Sequence, residues 1–215
     1  EWIRYFHEAD AGCVAISAKQ KGGANAVKAA IEKELSGLLV RRQNRGMAGA
    51  KTQVMLCGIP NVGKSTFINT FAGSARAKTA DRPGVTKGKQ WIRLNKNVEL
   101  LDTPGILWPK FEDEAVGMRL AYIGSIKDDI LNMEELSLTL IDFLREKYSG
   151  ALEKRYQIQE EGTAVQILEA IARSRGCLKK GEELDYAKAS LILFDDFRSG
   201  KIGRITLEWV PEEGK

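Results

Sequence analysis

The chain has 215 residues, 43% of them hydrophobic and 29% charged, with a formal net charge of +4. Such a chain can bury one large core or two small ones, and no apolar run approaches the roughly 20 residues of a membrane-spanning helix. A single histidine and three widely spaced cysteines argue against a zinc site or a disulfide framework. Together, these features lead us to expect a cytoplasmic protein without a membrane partner.

The first predicted elements are a strand, a helix and a linker. Residues 13–17, "CVAIS", predict a short buried strand, and Val27, Ile31 and Leu35 then recur at helical spacing. The stretch "RRQNRGMAGAK", residues 41–51, is rich in Gly and Arg and lacks periodicity. It therefore predicts a linker.

The rest of the chain changes from mixed to helical character. "QVMLCG" predicts a strand, "KSTFINTFAG" a helix, and "QWIRL" and "VELLD" two strands joined by a turn. After "DTPGILWPKFED" the apolar residues follow helical spacing to the end. A composition break near residues 125–129 predicts an α/β domain over 1–125 and a smaller helical domain over 126–215.

A phosphate-binding motif lies between the second predicted strand and its helix. Gly58 to Ser65 matches G-x-x-x-x-G-K-[ST], in which the glycines let backbone N–H groups turn toward phosphates. Lys64 then reaches the β- and γ-phosphates, and the Ser65 hydroxyl ligates Mg²⁺. The predicted nucleotide-binding residues of this loop are Asn61, Val62, Gly63, Lys64, Ser65 and Thr66.

A second motif, "DTPG", supports nucleotide binding. Asp102 ends a predicted strand, where its carboxylate can contact the Mg²⁺ sphere, and the Gly105 N–H can reach the γ-phosphate. Thr86, in the loop between the two motifs, is expected to reach Mg²⁺ when a γ-phosphate is bound. Lys64, Thr86 and Gly105 are therefore the predicted catalytic groups.

The order of the motifs is inverted. The DxPG form is similar to that of GTPases, which also use a Ser-Ala-Lys loop whose backbone packs against guanine, and Ser17-Ala18-Lys19 matches that loop. It precedes the phosphate motif here, so the fold expected is an α/β P-loop GTPase fold with circularly permuted motif order. The guanine-specifying Asn-Lys-x-Asp and a starting Met are both absent. We therefore expect a native N-terminal segment to precede this sequence.

The series SAK, GIPNVGKST, RPGVT, DTPGILWPKFED and a helical tail with GCLKKG resembles the circularly permuted ribosome-biogenesis GTPase A family over nearly the whole chain. The resemblance implies a factor that binds GTP and GDP and hydrolyses GTP at a late step of large ribosomal subunit assembly. Its implied partners are that subunit and its ribosomal RNA, which the helical domain would contact. Composition alone implies neither partner.

Two residues bear on hydrolysis. Ile106 follows Gly105 where many GTPases carry a water-orienting Gln, so intrinsic hydrolysis is expected to be slow. A preceding segment, a partner or an ion would then complete the site. In related GTPases an Asn at the position of Asn61 accompanies a bound K⁺, and the alternative is that Asn61 only shapes the loop.

Basic residues form the predicted RNA-binding set, although a solvated charged surface is the alternative for each of them. They are Arg41, Arg42, Arg45, Arg173, Arg175, Lys179 and Lys180. Two other functions stay open from the motifs. One is a GTPase of another purpose, in RNA modification or signalling, whose helical tail binds protein, and the other is an ATPase.

Overall fold

The structure, a computed structural model, describes residues 1–18, 20–46, 51–72, 90–93, 98–107 and 111–211. The chain divides into two compact units, Glu1–Trp108 together with Val210–Lys215, and Pro109–Trp209. The described elements of the first unit are α1 (Trp2–Glu8), α2 (Lys21–Asn44), β1 (Thr52–Leu56), α3 (Lys64–Ala72), β2 (Gln90–Arg93) and β3 (Val98–Asp102). Those of the second are α4 (Glu114–Tyr122), a short 3₁₀ helix (Asp128–Ile130), α5 (Met133–Lys147), α6 (Ala151–Tyr156), α7 (Ala164–Ser174) and α8 (Tyr186–Arg198).

A small mixed sheet organises the first unit. Its strand order is β1-β3-β2, with β1 parallel and β2 antiparallel to the central strand. Ile68 of α3 is fully buried against Ile92 and Leu100 of the sheet. Because β1 and β3 are parallel, their carboxyl ends lie at the same edge, where ligands bind in open α/β sheets. The phosphate loop follows β1 and the DTPG motif follows β3, so both motifs begin at this edge.

The first predicted strand does not form. Residues 11–17 have no regular secondary structure, and Val14 and Ile16 are exposed. β-branched residues favour a strand only where a neighbouring strand and apolar cover are available. The structure pairs this segment with none of the described strands, so the expectation of a buried strand at 13–17 was wrong.

The predicted linker is helical at its start. α2 continues through Arg41 and Arg42 to Asn44, and Gly46, with a φ of 71°, follows its end and donates its N–H to the Gln43 carbonyl at 3.0 Å. Arg and Gln are good helix formers, so a helix can extend beyond its apolar stripe. Periodicity alone therefore ended this helix too early.

Three long helices form the core of the second unit. Asn132 caps the N-terminus of α5, where its side chain accepts the Glu135 N–H at 3.2 Å. A capping box between Thr163 and Gln166 caps the N-terminus of α7. The buried apolar side chains recur at helical spacing on the inner faces: Leu140, Ile141, Leu144, Ile167, Leu168, Ile171, Leu193 and Phe194. The helical segment predicted after the DTPG motif is present as far as Arg198, but residues 199–211 form no helix, so the helical pattern does not continue to the end.

The unit boundary differs from the one that composition indicates. The compact units divide between residues 108 and 109, whereas the sequence placed the boundary at 125–126. α4 belongs to the helical unit because Tyr122 is buried in its core and donates its hydroxyl to Thr139 Oγ1 at 2.8 Å. A change in composition marks where the pattern becomes helical, but it does not show which core a given helix joins. None of the described helices is long and apolar enough to cross a membrane.

Candidate functional site

The phosphate loop joins β1 to α3 in an unusual backbone conformation. Gly58, Asn61 and Gly63 have φ values of 154°, 58° and 93°, which glycine adopts without strain and asparagine tolerates. α3 begins directly after Gly63, whose carbonyl accepts the Phe67 N–H at 2.8 Å. Its positive N-terminal end therefore faces the loop, which suits an anion.

Lys64 folds back over this loop. Its ammonium donates to the carbonyl oxygens of Gly58 at 3.1 Å and Ile59 at 2.7 Å. Burial lowers the pKa of Lys64, and the opposing influence comes first from Asp102. Carbonyl dipoles are weaker partners for an ammonium than phosphate oxygens, which carry full charge. The lysine is therefore placed to exchange its loop carbonyls for a phosphate.

Asp102, at the end of β3, is a fully buried acidic residue. Its exposed fraction is 0%, and within the described part of the chain neither carboxylate oxygen has a hydrogen-bond partner. Burial raises the pKa of Asp102, and the nearby Lys64 ammonium and Thr103 N–H act in the opposite direction. A buried, ionised carboxylate is unfavourable unless a cation or donor compensates it. This orphaned oxygen pair beside the phosphate loop fits a divalent cation.

Thr103 and Gly105 hold the DTPG segment against the phosphate loop. The Thr103 hydroxyl donates to the Leu56 carbonyl at 2.7 Å, which ties the end of β3 to the end of β1. A Cβ added at Gly105 would lie 2.6 Å from Pro60 Cα and 3.0 Å from Lys64 Nζ. No side chain fits there, so this close approach requires glycine.

The segment predicted to face a nucleotide base lies beside the phosphate loop. The Thr70 hydroxyl of α3 donates to the Ala18 carbonyl at 2.7 Å. A Cβ added at Gly63 would lie 4.0 Å from the Ala18 Cβ. Ala18, although distant from Gly63 in sequence, thus contacts the helix that follows the phosphate loop.

The structure places the other predicted site residues as follows. Ser65 and Thr66 lie half-buried in the first turn of α3, whereas Asn61 and Val62 are exposed. Ile106, next to Gly105, is 71% exposed. Thr86 and Lys19 lie outside the described residues. Sequence reasoning missed Thr70, which lies outside every motif, and Thr103, which lies within the DTPG motif but was given no role.

The predicted RNA-binding residues fall in both units. Arg41 and Arg45, at the end of α2, are exposed, and so are Lys179 and Lys180 in the turn before α8. Arg173 instead pairs with Glu169 at 3.3 Å. Arg175 donates to the Arg155 carbonyl at 3.2 Å and stacks 5.0 Å from the Tyr156 ring centroid. These last two side chains thus have structural partners.

Comparison with known proteins places these motifs in one family. A family profile described as "50S ribosome-binding GTPase" matches residues 53–172. Ribosome biogenesis GTPase A of Bacillus cereus is 42% identical over 214 residues, covering 99% of this chain and 72% of that protein. The protein of the same name from Thermotoga maritima is 32% identical over 156 residues, covering 73% and 56%.

Solved structures give the same fold. The GNP-bound YlqF from T. maritima superposes with a TM-score of 0.59 at 26% identity, covering 96% of this chain and 73% of that one. A GDP-bound YlqF structure superposes with a TM-score of 0.61. The expected P-loop GTPase fold is confirmed, and the permuted motif order fits this family. The chain therefore belongs to the ribosome biogenesis GTPase A family and is a guanine-nucleotide-binding GTPase that acts in ribosome biogenesis.

Proposed function

We propose that this GTPase works with Mg²⁺ in the cytoplasm at a late step of large ribosomal subunit assembly and binds ribosomal RNA in its GTP state. The observation that carries the proposal is the Asp102 carboxylate, fully buried and without a partner among the described residues. A cation compensates a buried carboxylate, so nucleotide and metal together would complete the site. The names of the relatives support the ribosome as the client.

Three side chains would hold the metal: Ser65, Asp102 and, from outside the described residues, Thr86. Mg²⁺ bound there supplies neutralisation of charge on the β- and γ-phosphates. Lys64 would transfer its hydrogen bonds from the Gly58 and Ile59 carbonyls to phosphate oxygens. The backbone N–H groups of residues 61–66 would surround the phosphates, and that of Gly105 would meet the γ-phosphate.

Hydrolysis by the chain alone is proposed to be slow. Ile106 is exposed and carries no group that can orient a water molecule. K⁺ held with the help of Asn61 would add positive charge beside the phosphates. The remaining requirement, a group that positions water, would be met by a partner such as the ribosomal subunit.

The proposed RNA surface rests on exposed cations. Arg41, Arg45, Lys179 and Lys180 are exposed and can neutralise RNA phosphates, which makes binding sensitive to salt. The proposed set also includes Arg42, Arg173 and Arg175, which we expect to contribute less to RNA binding. Arg42 is half-buried, and the other two have intramolecular partners.

Co-sedimentation with large ribosomal subunits tests the proposal. The protein should pellet with the subunit in Mg²⁺ and a non-hydrolysable GTP analogue, and much less in GDP. Asp102→Asn, which loses the metal-binding charge, should abolish the difference between the two nucleotides. Asp129→Asn is the control, because Asp129 is exposed and far from the motifs in sequence. Equal binding of the unmodified protein in both nucleotides would contradict the assembly switch.

A further inference from the structure

One side chain links the ends of β1 and β3 at the point where the site begins. Leu56 and Asp102 form the last register pair of these two strands. The next residue, Thr103, is buried, and its hydroxyl donates to the Leu56 carbonyl at 2.7 Å. This side-chain hydrogen bond therefore adds a connection beyond the last backbone pair.

The backbone after Thr103 cannot extend the pairing. Pro104 follows it, and a proline has no N–H to donate to a neighbouring strand. Residues 103–107 accordingly have no regular secondary structure. The Thr103 hydroxyl thus holds the two chains together where the ladder of backbone hydrogen bonds stops.

This bond lies between the two motifs of the site. Asp102, immediately before Thr103, has two buried carboxylate oxygens without a hydrogen-bond partner among the described residues. Leu56, the acceptor, lies two residues before Gly58, where the phosphate loop begins. The Thr103–Leu56 bond therefore sets how far the Asp102 backbone lies from the start of the phosphate loop.

The DTPG segment approaches the phosphate loop again at Gly105, where a Cβ would lie 2.6 Å from Pro60 Cα. Asp102 is adjacent in sequence to the Thr103 bond and three residues from this second contact. The Thr103 bond is therefore the one that restrains the Asp102 backbone more directly. Loss of the Thr103 hydroxyl would leave the Gly105 contact in place and release the end of β3.

Mg²⁺ is sensitive to such a release, because it requires nearly ideal octahedral geometry at short metal–oxygen distances. Residues that only hold a ligand in place commonly change metal affinity by about tenfold or more when they are replaced. A group that fixes the Asp102 backbone can therefore affect the metal without contacting it.

We propose that Thr103 is a positioning residue for the metal: its hydrogen bond to Leu56 holds Asp102 in register with the phosphate loop, so that the carboxylate and a bound nucleotide can share Mg²⁺. The inference rests on the proposed role of Asp102 toward Mg²⁺. Thr103 itself contacts neither the metal nor the nucleotide in this arrangement.

The test measures the affinity for a fluorescent, non-hydrolysable GTP analogue as the Mg²⁺ concentration is raised from zero, with EDTA as the metal-free reference. Thr103→Val keeps the side-chain shape and removes the donor. The Mg²⁺ concentration that gives half of the metal-dependent gain in affinity should rise about tenfold, whereas the affinity in EDTA should not change. Binding of Mn²⁺ to the nucleotide complex, followed by electron paramagnetic resonance, should weaken by a similar factor.

Two further variants separate positioning from general loss of structure. Thr103→Ser restores a hydroxyl and should restore most of the response to Mg²⁺. Thr139→Val removes a hydroxyl in the helical unit, where Thr139 Oγ1 donates to the Leu136 carbonyl at 2.9 Å, and should leave the response to Mg²⁺ as it is.

Three results would overturn the inference. If Thr103→Val is unfolded, or loses affinity by the same factor with and without Mg²⁺, Thr103 is only structural. If Thr103→Val responds to Mg²⁺ as the unmodified protein does, the Leu56 bond does not position Asp102. If nucleotide binding by the unmodified protein does not depend on Mg²⁺, the proposed metal role of Asp102 fails first, and the inference fails with it.

Discussion

At the exit of β3, two residues close together in sequence have opposite requirements. Asp102 is buried, and neither of its carboxylate oxygens has a hydrogen-bond partner within the described residues. Gly105 must lack a side chain, because a Cβ would stand 2.6 Å from Pro60 Cα. The first requirement creates a need for a cation, and the second lets the backbone approach the phosphate loop. Both residues affect Lys64, Gly105 by its close approach and Asp102 by its charge.

Gly105→Ala tests the close approach. A methyl group at this position forces Pro60 or the DTPG segment to move, which we expect to destabilise the fold by about 1–3 kcal/mol. GTP-analogue affinity should fall further than GDP affinity, because the displaced backbone is the one proposed to meet the γ-phosphate. Denaturant unfolding and nucleotide titration would measure the two effects.

Gly37→Ala is the matched control for this substitution. Gly37 lies inside α2 and a Cβ there meets nothing within 4 Å. Alanine should stabilise that helix by up to about 1 kcal/mol and leave nucleotide affinity unchanged. If Gly105→Ala behaves as Gly37→Ala does, the close approach to Pro60 is not required in solution.

At the scale of elements, Arg198 joins three segments of the helical unit. Arg198 lies at the end of α8, and its guanidinium donates to the carbonyl oxygens of Ala121 and Tyr122 at 2.9 Å each. These two residues end α4. It also forms two hydrogen bonds of 2.8 Å with the Asp128 carboxylate. The last carbonyls of a helix have no partner within it, and a cation there is favourable. Arg198 therefore stabilises the end of α4 and the segment that follows it.

Arg198→Lys keeps the charge and removes the planar fork. An ammonium cannot reproduce four divergent hydrogen bonds, so we expect a loss of about 2 kcal/mol in the free energy of unfolding of the helical unit. Arg145→Lys is the control, since Arg145 forms a 3.6 Å pair with the exposed Asp142, and its effect should stay within about 0.5 kcal/mol. Equal effects in denaturant unfolding would mean that the apolar contacts of α4 suffice.

At the scale of the whole molecule, the two units contain buried aspartates with opposite responses to acid. In the helical unit, burial alone would raise the pKa of Asp196, but hydrogen bonds from Arg155 and Lys201 hold it below its usual range. The Arg155 guanidinium donates at 3.0 and 2.9 Å, joining α6 to α8. In the GTPase unit, burial raises the pKa of Asp102. Acid therefore removes stability through Asp196 and adds it through Asp102.

Thermal unfolding of Asp196→Asn across pH tests this difference. Because the folded pKa of Asp196 is depressed, its contribution is fully present above the ordinary aspartate value of about 3.9 and is lost as pH falls through the lower, folded value. At about pH 7 the variant should melt about 4 °C or more below the unmodified protein. The gap should narrow on acidification below the ordinary value. A gap of constant size would show that the hydrogen bonds of Asp196 do not depend on its charge.

The chain's sequence by itself determined the phosphate loop, the DTPG motif and the family, because each depends on residue types at short, fixed spacings. Lys64 and Asp102 could be assigned to one site because the two motifs that contain them serve the phosphates and Mg²⁺ of one nucleotide. The helices of the second unit followed from periodic apolar residues. All of these signals are local in the chain.

Only the tertiary structure decided what depends on distant partners. It left residues 13–17 without a strand, extended α2 to Asn44 and assigned α4 to the helical core. The contacts of Thr70 with Ala18 and of Thr103 with Leu56 likewise join residues that no local pattern connects. The physical reason is that a pairing strand, a buried face or a hydrogen-bond acceptor far along the chain has no sequence spacing of its own. These partners become neighbours only when the chain is packed.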